Sequence, residues 1–174
     1  ALAEALQPQA SPSAPRIALK WPNDLWLVDA GAGAAQGRKL GGVLIETLAA
    51  GDRRLAVIGV GLNIVPLPPA LAAGLDGRSG CLREIVPGID APGALARVAL
   101  PLVQALKTFE REGFQAFAAR FAALDALRDQ PVATGDARAP SGIARGVDGQ
   151  GGLRIETAAG VHTLHGGEVS VRPA

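Results

Sequence analysis

Residues 17–64 alternate strand-like apolar runs with glycine pairs, and this rhythm constrains the fold more than any other feature of the chain. Residues 25–28 form a short run of strand formers, and 43–48 and 55–64 form longer ones. Ala49-Ala50-Gly51-Asp52-Arg53 separates the last two and reads as a turn, while the Gly/Ala tract 29–37 separates the first two and reads as a loop. The simplest solution is an antiparallel meander of three strands. Gly41-Gly42 and Gly59-Val60-Gly61 interrupt strands that otherwise favour β-branched residues. Glycine inside a strand costs stability and marks a bulge or a close approach of a ligand to the backbone. Two such interruptions on neighbouring strands predict a flat apolar slot floored by bare peptide.

A meander brings Lys39, at the entry to the second strand, close to Asp24, at the entry to the first. Such a pair at a strand rim could grip a phosphate with its metal, or it could be an ordinary surface ion pair of little energetic worth. Asn23 and Asn63 end their segments with amides able to read a base edge, or to cap a turn.

Three segments then acquire a joint meaning: Lys20-Trp21-Pro22-Asn23-Asp24-Leu25, Arg38-Lys39-Leu40-Gly41-Gly42-Val43-Leu44-Ile45-Glu46 and Gly59-Val60-Gly61-Leu62-Asn63. In this order and at this spacing they resemble the catalytic core of bacterial biotin protein ligases. The tail, from Gly142-Ile143-Ala144-Arg145-Gly146-Val147-Asp148 through Gly166-Gly167-Glu168-Val169-Ser170-Val171-Arg172, is similar to the C-terminal domain of that family. The resemblance implies an α+β fold: part of a class II aminoacyl-tRNA synthetase-like catalytic domain over 16–129, an antiparallel-rich sheet with helices on one face. A small SH3-like barrel over 130–174 would follow, with 1–15 as a linker.

The resemblance also implies a chemistry: ATP with Mg²⁺ activates biotin to biotinyl-5′-AMP, and a lysine of a biotin carboxyl carrier domain then takes the biotin. Carried over, Lys39 would sit between the biotin carboxylate and the α-phosphate, and Asp24 would orient the acyl-phosphate, directly or through Mg²⁺. Gly42, Val43 and Leu44 would flank biotin over a floor of Gly59 and Gly61. Asn23 and Asn63 would meet adenine, and Trp21 would stack near the nucleotide or fill the core. Arg172 and Glu168 would close over the nucleotide side. The Gly/Arg-rich loop that the family carries upstream of Lys-Trp-Pro-Asn-Asp is not found in residues 1–15, and the chain has no methionine, so it is expected to be a C-terminal part of such a ligase. A non-catalytic biotin- or adenylate-binding module and another adenylate-forming or aminoacyl-transferring enzyme remain as alternatives.

The remaining residues fit this frame. Of 174 residues 48% are apolar, enough for a core, and a net charge of +1 gives no electrostatic case for nucleic acid or an anionic membrane. The apolar runs fall short of the roughly 18 residues of a membrane span. The single cysteine, Cys81, excludes an internal disulfide and fits a reducing, cytoplasmic setting, where it reads as a packing residue. Residues 1–15 lack the charged start and apolar centre of a signal peptide; 1–6 read as the end of a helix and 8–15 as a loop. Residues 66–88 read as an irregular connection. Leu95, Val98, Ala99, Leu102, Val103, Leu106 and Phe109 recur at helical spacing, with Asp90 or the Pro92-Gly93 region near the start and a kink or fresh start at Pro101. Phe114, Phe117 and Phe121 continue as a second helix with a phenylalanine stripe facing the core. From Pro131 the pattern returns to short strands. His162 and His165 are too few for a metal site, so no metal-ligand cluster is expected. An exposed sheet edge would favour a homodimer.

Overall fold

A computed structural model describes residues 1–7, 13–33, 36–72, 74, 78–166 and 170–174. Four antiparallel strands, β1 (Arg16–Lys20), β2 (Asp24–Val28), β3 (Arg38–Ala50) and β4 (Arg53–Leu62), form the first sheet in sequence order. The three expected strands are present, and β1 adds a fourth whose five residues are too few to show a period. Helix α1 (Leu2–Leu6) precedes the sheet, a short α2 (Pro69–Ala72) follows it, and a 3-10 turn (Leu82–Glu84) leads to α3 (Ala91–Glu112). The stretch read as an irregular connection therefore carries two short helical pieces; the loop expected over 8–15 lies largely outside the described residues.

The register decides which side chains share a face. Ile17 and Leu27 pair, as do Leu19 and Leu25, and this face packs on Leu2, Leu6, Leu82, Ile85, Ile89, Ala94 and Val98. Helices thus cover one face, as expected. The opposite face carries Lys20, Asp24 and Trp26. Between β2 and β3 the register slips: Leu25 faces Gly41, but Trp26 faces Lys39. Leu40 is therefore the extra residue of a β-bulge, and it is fully buried in the helix-side core. Lys39 and Gly42, three positions apart, would point to opposite faces of a regular strand. The bulge reverses that parity and brings Lys39 onto the face of Asp24 and Gly42.

Helix α3 starts at Asp90, whose Oδ1 accepts from the Gly93 amide at 2.8 Å, and it runs through Pro101 without a fresh start. Only Ala94 and Val98 of its residues are buried. Leu95, Val103, Leu106 and Phe109 lie exposed, which corrects the expectation that the whole apolar stripe covers the sheet. A 3-10 turn (Phe114–Phe117) and α4 (Ala118–Leu124) replace a single second helix. Phe114, Phe117 and Phe121 are all only partly buried, and of the three Phe121 packs against the core of the second sheet.

Five further strands, β5 (Pro131–Thr134), β6 (Ser141–Val147), β7 (Leu153–Thr157), β8 (Gly160–Leu164) and β9 (Val171–Pro173), form an antiparallel sheet in the order β8-β7-β6-β5-β9. Among the described residues β8 and β9 are its two ends, so the sheet is open where a closed barrel was expected. Its core of Leu127, Val132, Ala144, Leu153, Ile155, Leu164 and Val171 includes one visitor, Trp21.

Candidate functional site

The bulge, the glycines and the β1–β2 turn meet at one cavity of about 1070 Å³. Its lining includes Lys20, Asp24, Trp26, Lys39, Gly42 and Gly61. Lys39 Nζ lies 2.7 Å from Asp24 Oδ1, and Lys20 Nζ lies 3.6 Å from Asp24 Oδ2, so one carboxylate is held between two ammonium groups. Lys39 is 55% exposed at the mouth, whereas Lys20 and Asp24 are 13% and 14% exposed. Arg78 joins from the segment after α2, and Val171, Arg172 and Pro173 join from β9. Among the described lining residues four cations face one carboxylate, an arrangement that attracts a polyanion. Burial holds the Lys20 ammonium below the ordinary lysine range; the Asp24 carboxylate opposes this, and Lys39 and Arg172 reinforce it.

The glycines divide by role. A Cβ on Gly41 would lie 2.2 Å from the Gly61 carbonyl oxygen, so Gly41 is demanded by the close strand approach. A Cβ on Gly42 would press on Asp24 Oδ1 at 3.2 Å and lie 3.7 Å from Lys39 Nζ. On Gly61 a Cβ would meet nothing nearer than the Gly42 oxygen at 4.0 Å. Gly42 pairs with Gly61 and Leu44 with Gly59, so bare peptide and the exposed Leu44 continue the same face away from Lys39.

Lys39 is also fixed through its own backbone. Its amide donates to the Arg78 carbonyl at 2.7 Å, and its carbonyl accepts from the Gly80 amide at 3.0 Å and from Asn63 Nδ2 at 3.0 Å. Next to it Arg38 reaches Asp29 at 2.8 Å and Glu84 at 2.7 Å, and these carboxylates, Glu84 first, hold its guanidinium above the usual arginine range. The segment 78–84 thus buttresses the strand that carries Lys39.

Not every expected residue joins the site. Trp21 is 4% exposed in the core of the five-stranded sheet, and its Nε1 donates to the Gly151 carbonyl at 3.0 Å. It fills the seam between the two sheets and does not line the cavity; the tryptophan in the cavity wall is Trp26. Val43 packs partly against the helix-side core, on the face opposite Gly42. Gly59 does not line the cavity, though it shares its face. The amide nitrogens of Asn23 and Asn63 donate to the Val43 and Lys39 carbonyls, each at 3.0 Å, so these donors brace the backbone. Glu168 lies outside the described residues.

Sequence reasoning passed over Lys20 as a site residue, and Arg78 altogether. The first sat in view inside the Lys-Trp-Pro-Asn-Asp segment; the second is brought in only by the main-chain hydrogen bond its carbonyl accepts from Lys39. A second cavity of about 630 Å³ lies beyond Lys20 and Asp24, lined also by Asn23, Val43, Leu44 and Phe121. Cys81 is buried, and burial followed by the charge of Glu84 pushes its thiol up, as suits a packing residue. Among the described residues no group of three or more His, Cys, Asp or Glu is placed to hold a metal ion.

Comparison with known proteins places this geometry. Residues 1–63 match the Biotin/lipoate A/B protein ligase family, and residues 127–172 match the Biotin protein ligase C terminal domain. The bifunctional ligase/repressor BirA of Salmonella typhimurium is 35% identical over 164 residues, covering 92% of this chain and 48% of BirA. The biotin–[acetyl-CoA-carboxylase] ligase of Paracoccus denitrificans is 29% identical over 173 residues, covering 97% of this chain and 68% of the relative. The chain thus spans about half the length of the BirA relatives. In fold it matches the biotin protein ligase of Aquifex aeolicus in complex with biotin and ATP, with a TM-score of 0.75 at 24% identity over 99% of this chain and 68% of that one. With one family matching the strands that carry Lys39 and Asp24 and the other matching the sheet that carries Arg172, the chain belongs to the biotin protein ligase family.

Proposed function

We propose that the chain carries the reacting centre of a biotin–protein ligase. Biotin's carboxylate oxygen attacks the α-phosphorus of ATP, the bond to the β-phosphate breaks, and pyrophosphate leaves. The amine of a lysine on a biotin carboxyl carrier domain then attacks the acyl carbon of biotinyl-5′-AMP, and AMP leaves. The observation that carries this reading is the Lys39–Asp24 pair at 2.7 Å over a bare-peptide floor, within a cavity lined by four cations and, among the described residues, one carboxylate.

The first step brings two anions together, so its barrier is mainly electrostatic. Lys39, mobile enough at the mouth to leave Asp24, neutralises the carboxylate and the α-phosphate at once. Arg78 and Arg172 take the departing pyrophosphate charge. The biotin rings lie along Gly42, Leu44, Gly59 and Gly61, where the missing side chains leave room. Adenine lies toward Asn63, read by its amide oxygen, since the nitrogen braces the backbone; Asn23 lines the second cavity, on the other side of Lys20 and Asp24. Magnesium fits as an ion brought by the nucleotide: one carboxylate, Asp24, faces the phosphates, and Mg²⁺ is commonly held by one or two carboxylates with substrate phosphates and water. Bound there it would offset phosphate charge. The five-stranded unit, an open sheet among the described residues, is read as an SH3-like domain that covers the nucleotide side, and the whole as a cytoplasmic enzyme; no helix among the described residues is long and apolar enough to cross a membrane.

Calorimetry with biotinyl-5′-AMP and an assay of pyrophosphate release from ATP plus biotin test the reading. Lys39→Ala is expected to weaken adenylate binding by about tenfold or more, the effect of removing one charged partner from a charge pair, and to abolish release while the circular dichroism spectrum is unchanged. Adenylate binding without any release would mark a binding module. No binding at all, or full activity in Lys39→Ala, would overturn the proposal.

A further inference from the structure

Lys20 belongs to the site in a way that the ligase reading does not require. Asp24 has two ammonium partners of opposite character. Lys39 is on Oδ1 at 2.7 Å with its side chain 55% exposed; Lys20 is near Oδ2 at 3.6 Å with its side chain 13% exposed. Lys20 is the last residue of β1, directly across from Asp24 in the register, and its ammonium lies 6.0 Å from the centre of the Trp26 ring. Lys20 and Asp24 both line each of the two cavities, so they form the wall between them. Lys39 lines only the larger one.

This geometry poses a problem for any anion entering the larger cavity. The exposed ammonium that would receive it is already bound to Asp24. Once Lys39 turns to the anion, Asp24 is left as a largely buried carboxylate beside a second negative group. An uncompensated buried carboxylate is costly, and a like charge nearby increases the cost. For an anion that brings no metal ion of its own, the cost falls only if a second cation stays on Asp24.

We propose that Lys20 is the resident counterion of Asp24: a positioning residue that keeps the carboxylate neutralised in the wall between the cavities and so frees Lys39 to engage the incoming phosphate. Lys39 is the exchangeable partner and Lys20 the fixed one. Lys20 thus acts on the anion through Asp24, without touching it. This rests on the reading that the larger cavity takes a nucleotide's phosphates.

A double-mutant cycle on the full chain, with inorganic pyrophosphate as the calorimetric probe, tests it. Wild type is expected to bind. Lys20→Met, which keeps the aliphatic length, is expected to lose about tenfold in affinity or more, because Lys39 becomes the sole partner of Asp24 and is held there. Lys20→Arg is expected to bind as wild type does, and circular dichroism checks that each variant is folded. In an Asp24→Asn background the same Lys20→Met change is expected to cost less than about threefold, because the charge it served is gone. An equal loss in both backgrounds would mean that Lys20 touches the anion itself, and unchanged binding in Lys20→Met would mean that Asp24 needs no second cation; either result overturns the proposal. Failure of the wild type to bind pyrophosphate would instead sink the anion reading of the cavity, and this inference with it.

Discussion

At the scale of single residues the site is a matter of what is absent as much as what is present. Gly41 and Gly61 are both strand glycines, yet they are expected to respond differently to substitution. Gly41→Ala would drive a Cβ into the backbone of β4, where nothing can yield, and should destabilise the fold by about 1–3 kcal/mol in chemical denaturation. Gly61→Val puts its side chain into open space above the floor; it should leave the denaturation midpoint near that of wild type and weaken adenylate binding in the same calorimetric assay. The nearness of Asp24 and Lys39 was legible in the sequence, because a short strand, a loop and a second strand leave few other ways to pair. The parity of Lys39 was not: the Gly41-Gly42 pair announced a bulge, but only the register places Leu40 in the core and Lys39 on the rim. Trp21 could not be placed either, because its hydrogen-bond partner, Gly151, lies 130 residues downstream.

Among the elements, the junction of α4 with the second sheet holds an unusual carboxyl. Asp125 bridges to Leu19 of β1, and its Oδ1 accepts from the Leu127 amide at 3.0 Å. Its Oδ2 is buried with no hydrogen-bond partner among the described residues. Burial pushes this carboxyl up; the Leu127 amide and Arg128 act against the shift, and Asp129 with it. A carboxyl raised by folding contributes stability below its unfolded value and loses it as pH rises through its folded value. Asp125→Asn, which retains the acceptor for Leu127, should therefore raise stability near pH 7 by about 1 kcal/mol. The gain should vanish in melts run below the ordinary aspartate value of about 3.9. The helical spacing of α3 and its Asp90 start were legible, because capping and period are local. What α3 leaves uncovered was not, since amphipathicity says that a face is apolar and not what lies against it. The Arg78–Gly80 brace on Lys39 was equally out of reach, because it joins residues about 40 positions apart through main-chain atoms that carry no sequence signature.

For the molecule as a whole, exposed apolar surface is concentrated on α3 and on the β3–β4 hairpin. Leu44, Ile45, Leu48, Leu55 and Val57 are all more than half exposed, and Leu95 on α3 is 64% exposed. Leu44, Leu48, Leu55 and Val57 share one face of the hairpin; exposed apolar surface of this kind marks an interaction site or an association hazard, and among the described residues β4 is also an unpaired sheet edge. A second copy is the occupant at hand in a purified sample, so sedimentation should detect concentration-dependent self-association. Leu48→Lys with Leu55→Lys, a cross-strand pair on that face, should reduce it and lower the binding of a hydrophobic dye. Unchanged sedimentation would place the contact elsewhere. The two tryptophans of the chain stand at separate posts: Trp26 in the wall of the larger cavity, and Trp21 locked into the far sheet. The fold thus carries two built-in optical probes, one watching occupancy and the other the joint. A ligand that quenches the first and leaves the second untouched has entered without disturbing the packed seam beside the turn that leads to Asp24.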